Sequence, residues 1–197
     1  MRVISGTARG RSLKAVPGSG TRPTTDKVKE AIFSMIGPYF EGGVVLDLFA
    51  GTGGLGIEAL SRGMDKGIFI DIEKKSLEVI QDNLNSTKLA GQAEVYRNDA
   101  ARALKVLAKR GIKFDLVFLD PPYRMKDADE LVSSMEQLGL LASGATIVIE
   151  HDANHTYEQQ IGRAIQFRRV EYGDIAVSLY ACDADHAKDE KEEETRT

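Results

Sequence analysis

A chain of 197 residues, 42% of them apolar and 28% charged, has the composition of an ordinary globular protein with room for one domain and its own core. No apolar run approaches the ~20 residues of a membrane span, and the first residues lack the apolar segment of a signal peptide. The single cysteine excludes an internal disulfide framework, so we expect a cytoplasmic protein. His151 and His155 have no further ligands at suitable spacing, so we also expect no metal site.

The charge is distributed unevenly along the chain. Residues 183–197 contain seven acidic and three basic residues, so this tail accounts for the whole net charge of −4. Residues 1–25 contain basic residues and no acid, namely Arg2, Arg9, Arg11, Lys14 and Arg22. A basic patch on a neutral body indicates contact with a polyanion, with a solvated arm as the alternative. We expect one domain over residues 1–182, with a basic arm at 1–23 and a disordered acidic tail at 183–197.

The first predicted elements are a hairpin and a helix. Residues 2–5 and 11–16 alternate weakly between apolar and polar side chains, and Gly6 and Gly10 separate them, which predicts a short basic hairpin. A helix is predicted after the Arg-Pro-Thr-Thr segment at residues 22–25, because apolar residues then recur at helical spacing.

Strands and helices alternate through the rest of the chain. Buried strands are predicted at residues 44–49, 67–72, 94–97, 114–119 and 146–150, each followed by a helix, the last a short one near 157–161. Two more strands, 165–172 and 175–180, flank a hairpin turn signal at Gly173-Asp174. This order predicts an α/β fold: a doubly wound, mostly parallel, seven-stranded sheet with a C-terminal antiparallel hairpin and an N-terminal hairpin as an appendage.

Acidic residues lie at or just past the ends of successive predicted strands, at Asp47, Asp71, Asp99 and Asp120. In this topology ligands bind at the carboxyl ends of the strands, so these side chains share one rim. Carboxylates in such a row suit a ligand rich in hydroxyls and amines, or a cation.

The segment Gly51-Thr52-Gly53-Gly54-Leu55-Gly56 matches the dinucleotide-binding pattern, with Asp71 at the spacing of a ribose-binding acid. Asp47 argues against a nicotinamide cofactor, because a carboxylate near a pyrophosphate is unfavourable. The same carboxylate suits a cationic group such as the ammonium of an amino acid.

The tetrapeptide Asp120-Pro121-Pro122-Tyr123 ends a buried strand, because successive prolines cannot extend the ladder. The loop combines a carboxylate, carbonyls without competing N–H donors and an aromatic face. These groups suit a flat molecule with an exocyclic amine: Asp120 and the Pro121 carbonyl accept from the amine, and Tyr123 stacks on the ring. A turn with a structural aspartate is the alternative.

These motifs together carry a family resemblance. Residues 47–53, Asp-Leu-Phe-Ala-Gly-Thr-Gly, resemble the first motif of class I S-adenosylmethionine-dependent methyltransferases, and residues 120–123 resemble their amino-methylating motif. Residues 9–11 and 22–33 resemble the opening of the bacterial RsmD family, and the match covers roughly residues 1–182. The resemblance implies a Rossmann-like methyltransferase acting on the N2 amine of one guanine in 16S ribosomal RNA.

The resemblance also implies roles for particular residues. The cofactor S-adenosylmethionine would be bound by Asp47, Phe49, Ala50, Gly51, Gly53, Asp71, Ile72, Asp99 and Ala100. Asp120, Pro121 and Tyr123 would be catalytic, and no metal is needed. RNA binding is expected from Arg9, Arg11, Arg22, Thr24, Tyr123 and Arg124. Taken alone, Asp99 could instead cap the helix after it, and Asp71 could be a turn acid that Glu73 rivals. The expected partner is 16S ribosomal RNA or the small subunit, and the expected state is a monomer.

Other functions are compatible with the same residues. The nearest is methylation of another amine, such as adenine N6 or a glutamine side chain, although glutamine methylation usually goes with Asn at the position of Asp120. A nicotinamide-dependent oxidoreductase and a noncatalytic RNA-binding assembly factor belong to other classes, and the amine-binding loop argues against both.

Overall fold

The computed structural model of the chain describes residues 1–18 and 24–183. The helices are Asp26–Ile36 (α1), Gly54–Ser61 (α2), Lys74–Thr87 (α3), Ala100–Lys109 (α4) and Ala128–Gln137 (α5). The strands are Val44–Asp47 (β1), Lys66–Asp71 (β2), Ala93–Arg97 (β3), Phe114–Leu119 (β4), Leu141–Asp152 (β5), Gln160–Ile161 (β6), Ala164–Tyr172 (β7) and Ile175–Cys182 (β8). Arg22 and the acidic tail beyond Asp183 lie outside the described residues.

All of these strands form one sheet in the order β3-β2-β1-β4-β5-β8-β7-β6. The first five strands are parallel, and β5, β8, β7 and β6 pair in antiparallel fashion. The predicted fold class, with its C-terminal antiparallel hairpin, is confirmed. The order of strands reverses between β1 and β4, which makes the carboxyl ends of these two strands the place where a ligand is expected.

The sheet has eight strands rather than the predicted seven, because the short helix expected near residues 157–161 does not form. Gly162 has a φ of 58°, a left-handed conformation that glycine adopts without strain. The chain therefore reverses there, and Ile161 pairs with Ala164 as the short strand β6. The apolar residues that suggested a helix are buried by this turn instead.

Helices cover both faces of the sheet. On one face α1 and α2 pack through Ile32, Phe33 and Ile57, together with Val3 from the N-terminal arm. On the other face α4 and α5 pack through a second apolar cluster that includes Leu104. Because side chains alternate along a strand, every second residue of a strand faces the same group of helices. Thr25 caps α1 by accepting a hydrogen bond of 3.3 Å from the Val28 amide, as predicted.

The N-terminal arm, of which residues 1–18 are described, forms a short antiparallel hairpin, as expected from the sequence. Arg2 lies opposite Ser12 in an antiparallel bridge, and on either side the Val3 amide donates to the Arg11 carbonyl and the Leu13 amide to the Met1 carbonyl, both at 2.9 Å. The arm is attached to the body through Glu58 on α2, whose carboxylate accepts from the amides of Ile4 at 2.9 Å and Ser5 at 3.0 Å. The fully buried Lys29 ammonium lies 3.4 Å from the same carboxylate. Burial of this carboxylate is compensated by these partners, so the arm has a fixed place on the body.

Within the described residues, no helix is both long and apolar enough to span a bilayer. The same residues contain no cluster of His, Cys, Asp and Glu side chains suited to a metal ion.

Candidate active site

The carboxyl ends of neighbouring parallel strands carry a row of acids on one face of the sheet. Asp47 ends β1 and pairs with Phe69 of β2 and Phe118 of β4. Asp71 and Asp120 each follow two residues after those partners, so their side chains project to the same face as Asp47. The row begins at the point where the strand order reverses and faces the side covered by α1, α2 and the arm.

Asp47 is the most enclosed member of this row, with 3% of its surface exposed. One carboxylate oxygen accepts a hydrogen bond of 3.0 Å from the amide of Gly56 in the first turn of α2. Burial raises the pKa of Asp47 to about 7, and repulsion by Asp71 adds to the effect while the Gly56 hydrogen bond opposes it. A buried carboxylate in this condition is stabilised by a cationic partner.

The glycine loop between β1 and α2 is held tightly against this row. Gly51 and Gly53 have φ values of 56° and 79°, which residues with a Cβ rarely adopt. The Gly51 amide donates to Asp71 at 2.8 Å, and the Ala50 amide donates to the Ile70 carbonyl at 2.9 Å. Among the described residues, its own chain neighbours aside, no atom lies within 4 Å of the point where a Cβ on Gly51 would project. At Gly51 the loop therefore presents its backbone to open space next to Asp71.

The remaining cofactor residues expected from the sequence lie on the same rim or behind it. Ile72, just after β2, is 57% exposed, so its apolar side chain can pack against a bound ligand. The Asn98 amide donates to the Asp71 carbonyl at 3.1 Å, which brings the loop before α4 against β2. Asp99 follows in this loop and caps α4, because its carboxylate accepts a hydrogen bond of 3.1 Å from the backbone amide of Arg102. This is the structural role considered for Asp99, and it leaves the carboxylate exposed.

Two further expected cofactor residues are less accessible. Phe49 is half-buried and packs against the core beneath α4 and α5. Ala100 is buried as the first residue of α4.

The Asp-Pro-Pro-Tyr loop follows β4 directly. The Met125 amide donates to the Pro122 carbonyl at 2.8 Å, which closes a turn. Pro121 is buried, and Tyr123 is 53% exposed. Pro121 and Tyr123 line a small cavity together with Lys126 from the following loop. The loop therefore offers an aromatic face next to the carboxylate of Asp120.

Asp120 lies in a strongly acidic environment. Burial raises the pKa of Asp120 well above its usual value, and the nearby carboxylates of Glu150 and Asp47 raise it further. Positive charge that develops next to Asp120 would relieve this repulsion. The site is thus suited to a substrate group that becomes cationic as it reacts.

Glu150 was not among the site residues expected from the sequence. Leu119 of β4 pairs with Ile149 of β5, so Asp120 and Glu150 are the next residues along two adjacent parallel strands. Glu150 lines the same small cavity as Pro121 and Tyr123. The available signal was its position at the end of a predicted strand, which is the same signal that identified Asp47 and Asp120.

The residues expected to bind RNA lie in several places. Arg9 is exposed on the arm, and Arg11 is held to α3 through a hydrogen bond of 3.0 Å to the Ser86 carbonyl. Thr24 is buried instead, and its hydroxyl donates to Glu150 at 3.0 Å. Arg124 is exposed beside Tyr123 on the loop after β4.

Comparison with known proteins places this site in a family. A family model described as Conserved hypothetical protein 95 matches residues 1–181. Ribosomal RNA small subunit methyltransferase D of Escherichia coli (strain K12) is 33% identical over 189 residues, which cover 96% of this chain and 93% of that protein. The chain belongs to the RsmD family.

Further similarities agree with this family. The Bacillus subtilis protein YlbH, named as a candidate rRNA methyltransferase, is 51% identical over 180 residues, or 91% of this chain and 98% of that protein. The solved structure of yhhF from Escherichia coli, titled a candidate methyltransferase, matches with a TM-score of 0.79 and 34% identity. That match covers 94% of this chain and 99% of the other. The RsmD family predicted from the sequence is thus confirmed.

Proposed function

We propose that the protein is an S-adenosylmethionine-dependent methyltransferase that acts on the exocyclic N2 amine of a guanine in 16S ribosomal RNA. The observation that carries the proposal is the position of the Asp-Pro-Pro-Tyr loop beside the glycine loop, at the switch between β1 and β4. The names of RsmD-family relatives support ribosomal RNA as the substrate. We also propose that it acts as a monomer in the cytoplasm.

The residues of the rim fit S-adenosylmethionine. Asp47 supplies a buried carboxylate for the ammonium of the methionine part, and the backbone of the glycine loop faces open space at Gly51. Asp71 supplies acceptors for ribose hydroxyls, and exposed Ile72 supplies an apolar surface for adenine. The exposed carboxylate of Asp99 is available to the adenine amine. When bound, this cofactor supplies an electrophilic methyl group carried on a sulfonium.

A nicotinamide cofactor fits the same residues less well. Asp47 lies directly beneath the turn that a pyrophosphate would occupy, and it accepts from the Gly56 amide at 3.0 Å. A phosphate there would meet a second negative charge in a buried site. The burial of Asp47 therefore favours the cationic ligand.

The acceptor loop orients the substrate amine. The lone pair of a guanine N2 amine is delocalised into the ring, so the amine is a weak nucleophile. Asp120 and the Pro121 carbonyl would accept from the two amine hydrogens, which fixes the direction of the lone pair and favours a pyramidal nitrogen. Orientation of this kind contributes up to ~7–11 kcal/mol in the best cases.

The same loop handles charge and stacking. The carboxylate of Asp120 stabilises positive charge that develops on the amine nitrogen, and then accepts the proton that the nitrogen releases, either directly or through water. Tyr123 stacks on a base removed from its neighbours, which contributes roughly 1–3 kcal/mol.

The test is to map modified nucleotides in ribosomal RNA from a strain that lacks the gene. We expect the N2-methyl group of one guanine in 16S RNA to be lost and to return when the wild-type gene, but not the Asp120→Ala variant, is restored. Loss of a methyl group from an adenine would replace the guanine proposal with an adenine one. An unchanged modification pattern would contradict the proposed activity.

A further inference from the structure

Glu150 is a buried acid that the mechanism above does not use. It lies on β5, next to Asp120, and only 6% of its surface is exposed. Within the described residues, the hydrogen bond that its side chain receives comes from the Thr24 hydroxyl, to Oε2 at 3.0 Å. A buried carboxylate ordinarily has a cation or several donors, because its removal from water is costly. In residues 1–18 and 24–183, Glu150 thus has one neutral donor, Thr24, and an acidic neighbour, Asp120.

The position of Glu150 points to a ligand rather than to the core. Glu150 lines the small cavity that Pro121 and Tyr123 also line, which places it beside the Asp-Pro-Pro-Tyr loop. Thr24 binds Oε2, and within the described part of the chain no donor binds Oε1, which can therefore accept a hydrogen bond from a ligand. The acceptors of this wall are therefore Asp120, the Pro121 carbonyl and Glu150.

We propose that Glu150 selects guanine by accepting a hydrogen bond from its N1–H. The inference deepens the proposed amine methylation and rests on it. The edge of guanine that carries the N2 amine presents adjacent donors, N1–H and the two amine hydrogens, which match the acceptors of the wall. Adenine presents its N6 amine next to N1, which is an acceptor, so an ionised Glu150 would repel it. Bases removed from the stack are read by hydrogen bonds to this edge.

Thr24 is a positioning residue for Glu150 in this proposal. It directly precedes Thr25, the cap of α1, so the start of the helix determines where the Thr24 hydroxyl lies. Thr24, the last residue of the Arg-Pro-Thr segment recognised in the sequence, would thus act in base selection through Glu150. Thr24→Val removes the donor with little change in shape, and Thr24→Ser retains it.

The first test needs no variant. RNA or reconstituted small subunits that contain the mapped nucleotide would carry guanine, 2-aminopurine or adenine at that position. 2-Aminopurine retains the amine but has an acceptor at N1. We expect the wild-type protein to methylate 2-aminopurine on the order of a hundredfold more slowly than guanine, and adenine not at all, because a site built for an N–H rejects an analogue without it. Similar rates on guanine and 2-aminopurine, or methylation of adenine, would overturn the inference.

The second test measures, for each variant, the ratio of the guanine rate to the 2-aminopurine rate. Comparing this ratio between variants cancels the difference in intrinsic reactivity of the two amines. Glu150→Gln offers an amide donor to N1 of 2-aminopurine, so we expect its ratio to fall at least tenfold below wild type. Thr24→Val should lower the ratio in the same direction, and Thr24→Ser should restore it. The control Glu130→Gln makes the same chemical change at an exposed position on α5 and should leave the ratio unchanged.

The outcomes separate this inference from the proposed function. If the wild-type protein methylates guanine N2 and Glu150→Gln keeps the wild-type ratio while binding S-adenosylmethionine normally, the inference is wrong and the proposed function stands. If the wild-type protein methylates no guanine in the small subunit, the proposed function fails and the inference fails with it.

Discussion

Asn83 donates a hydrogen bond of 2.9 Å to the carbonyl oxygen of Thr52, and so joins the middle of α3 to the glycine loop. The same side chain binds the arm: its amide oxygen accepts from the Lys14 amide at 2.7 Å, and its nitrogen donates to the Lys14 carbonyl at 3.1 Å. Asn83 is almost fully buried, so water cannot replace these partners. One side chain therefore connects the basic arm to the proposed cofactor loop.

The first prediction concerns this connection. Asn83→Ala should lower the free energy of unfolding by roughly 1–2 kcal/mol, because it leaves partly buried backbone groups of Lys14 and Thr52 without partners. It should also weaken S-adenosylmethionine binding several-fold by loosening Thr52. Urea unfolding and titration calorimetry measure the two effects. Asn85→Ala, at an exposed position of the same helix, is the matched control, and equal unfolding curves for the two variants would contradict the prediction.

The second prediction follows from Asp47, whose pKa burial raises from 3.8 to about 7. Between these values the folded protein holds a proton that the unfolded chain has lost. The free energy of unfolding of the ligand-free protein therefore falls as pH rises from about 4 to about 7. Since an ammonium group favours the ionised carboxylate, affinity for S-adenosylmethionine should rise over the same range.

Asp47→Asn isolates this effect from the titration of Asp120 and Glu150, whose pKa values are also raised. We expect the variant to bind S-adenosylmethionine more weakly and to lose most of the difference in affinity between about pH 5 and about pH 7. Calorimetry at several pH values provides the measurement. An unchanged pH profile would mean that Asp47 does not meet the ammonium.

The third prediction separates the roles of the two loops. Asp120→Ala should reduce methyl transfer by at least ~10²–10³-fold, because it removes the acceptor that orients the amine and stabilises its charge. Affinity for S-adenosylmethionine should remain within a few-fold of wild type, since Asp120 addresses the substrate. Asp127→Ala, an exposed acid on the following loop, should retain activity. Near-normal turnover of Asp120→Ala would show that the amine-binding assignment is wrong.

The fourth prediction concerns the basic arm. Replacing Arg9 and Arg11 by Ala should weaken RNA binding and reduce its salt dependence by roughly 0.7 units of slope per lost phosphate contact, if the contacted RNA is single-stranded. The control replaces Lys105 and Lys109 by Ala on α4, which packs on the opposite face of the sheet. If both pairs change the affinity and slope equally, the arm has no special role, and RNA recognition would have to be sought around Arg124 and Lys126.

Local sequence signals account for most of the fold and for much of the rim. Thr25 before an apolar helical stripe predicted the start of α1, and the apolar runs with glycine turns predicted the parallel strands. Asp47, Asp71 and Asp120 could be placed together because strand ends in a doubly wound sheet meet at one edge. The turn at Gly162 was missed because a short apolar run fits a helix or a strand equally well.

The sequence by itself determined the order of elements apart from β6, the family and the identity of the two loops, because these depend on neighbours close in the chain. Only the tertiary structure decided which distant side chains meet. Thr24 and Glu150 are separated by 126 positions, and their hydrogen bond depends on how α1 docks against β5. The same holds for Asn83, whose three hydrogen bonds need α3, the arm and the glycine loop together. Side-chain pairing across elements follows from packing and strand register, which no single segment encodes.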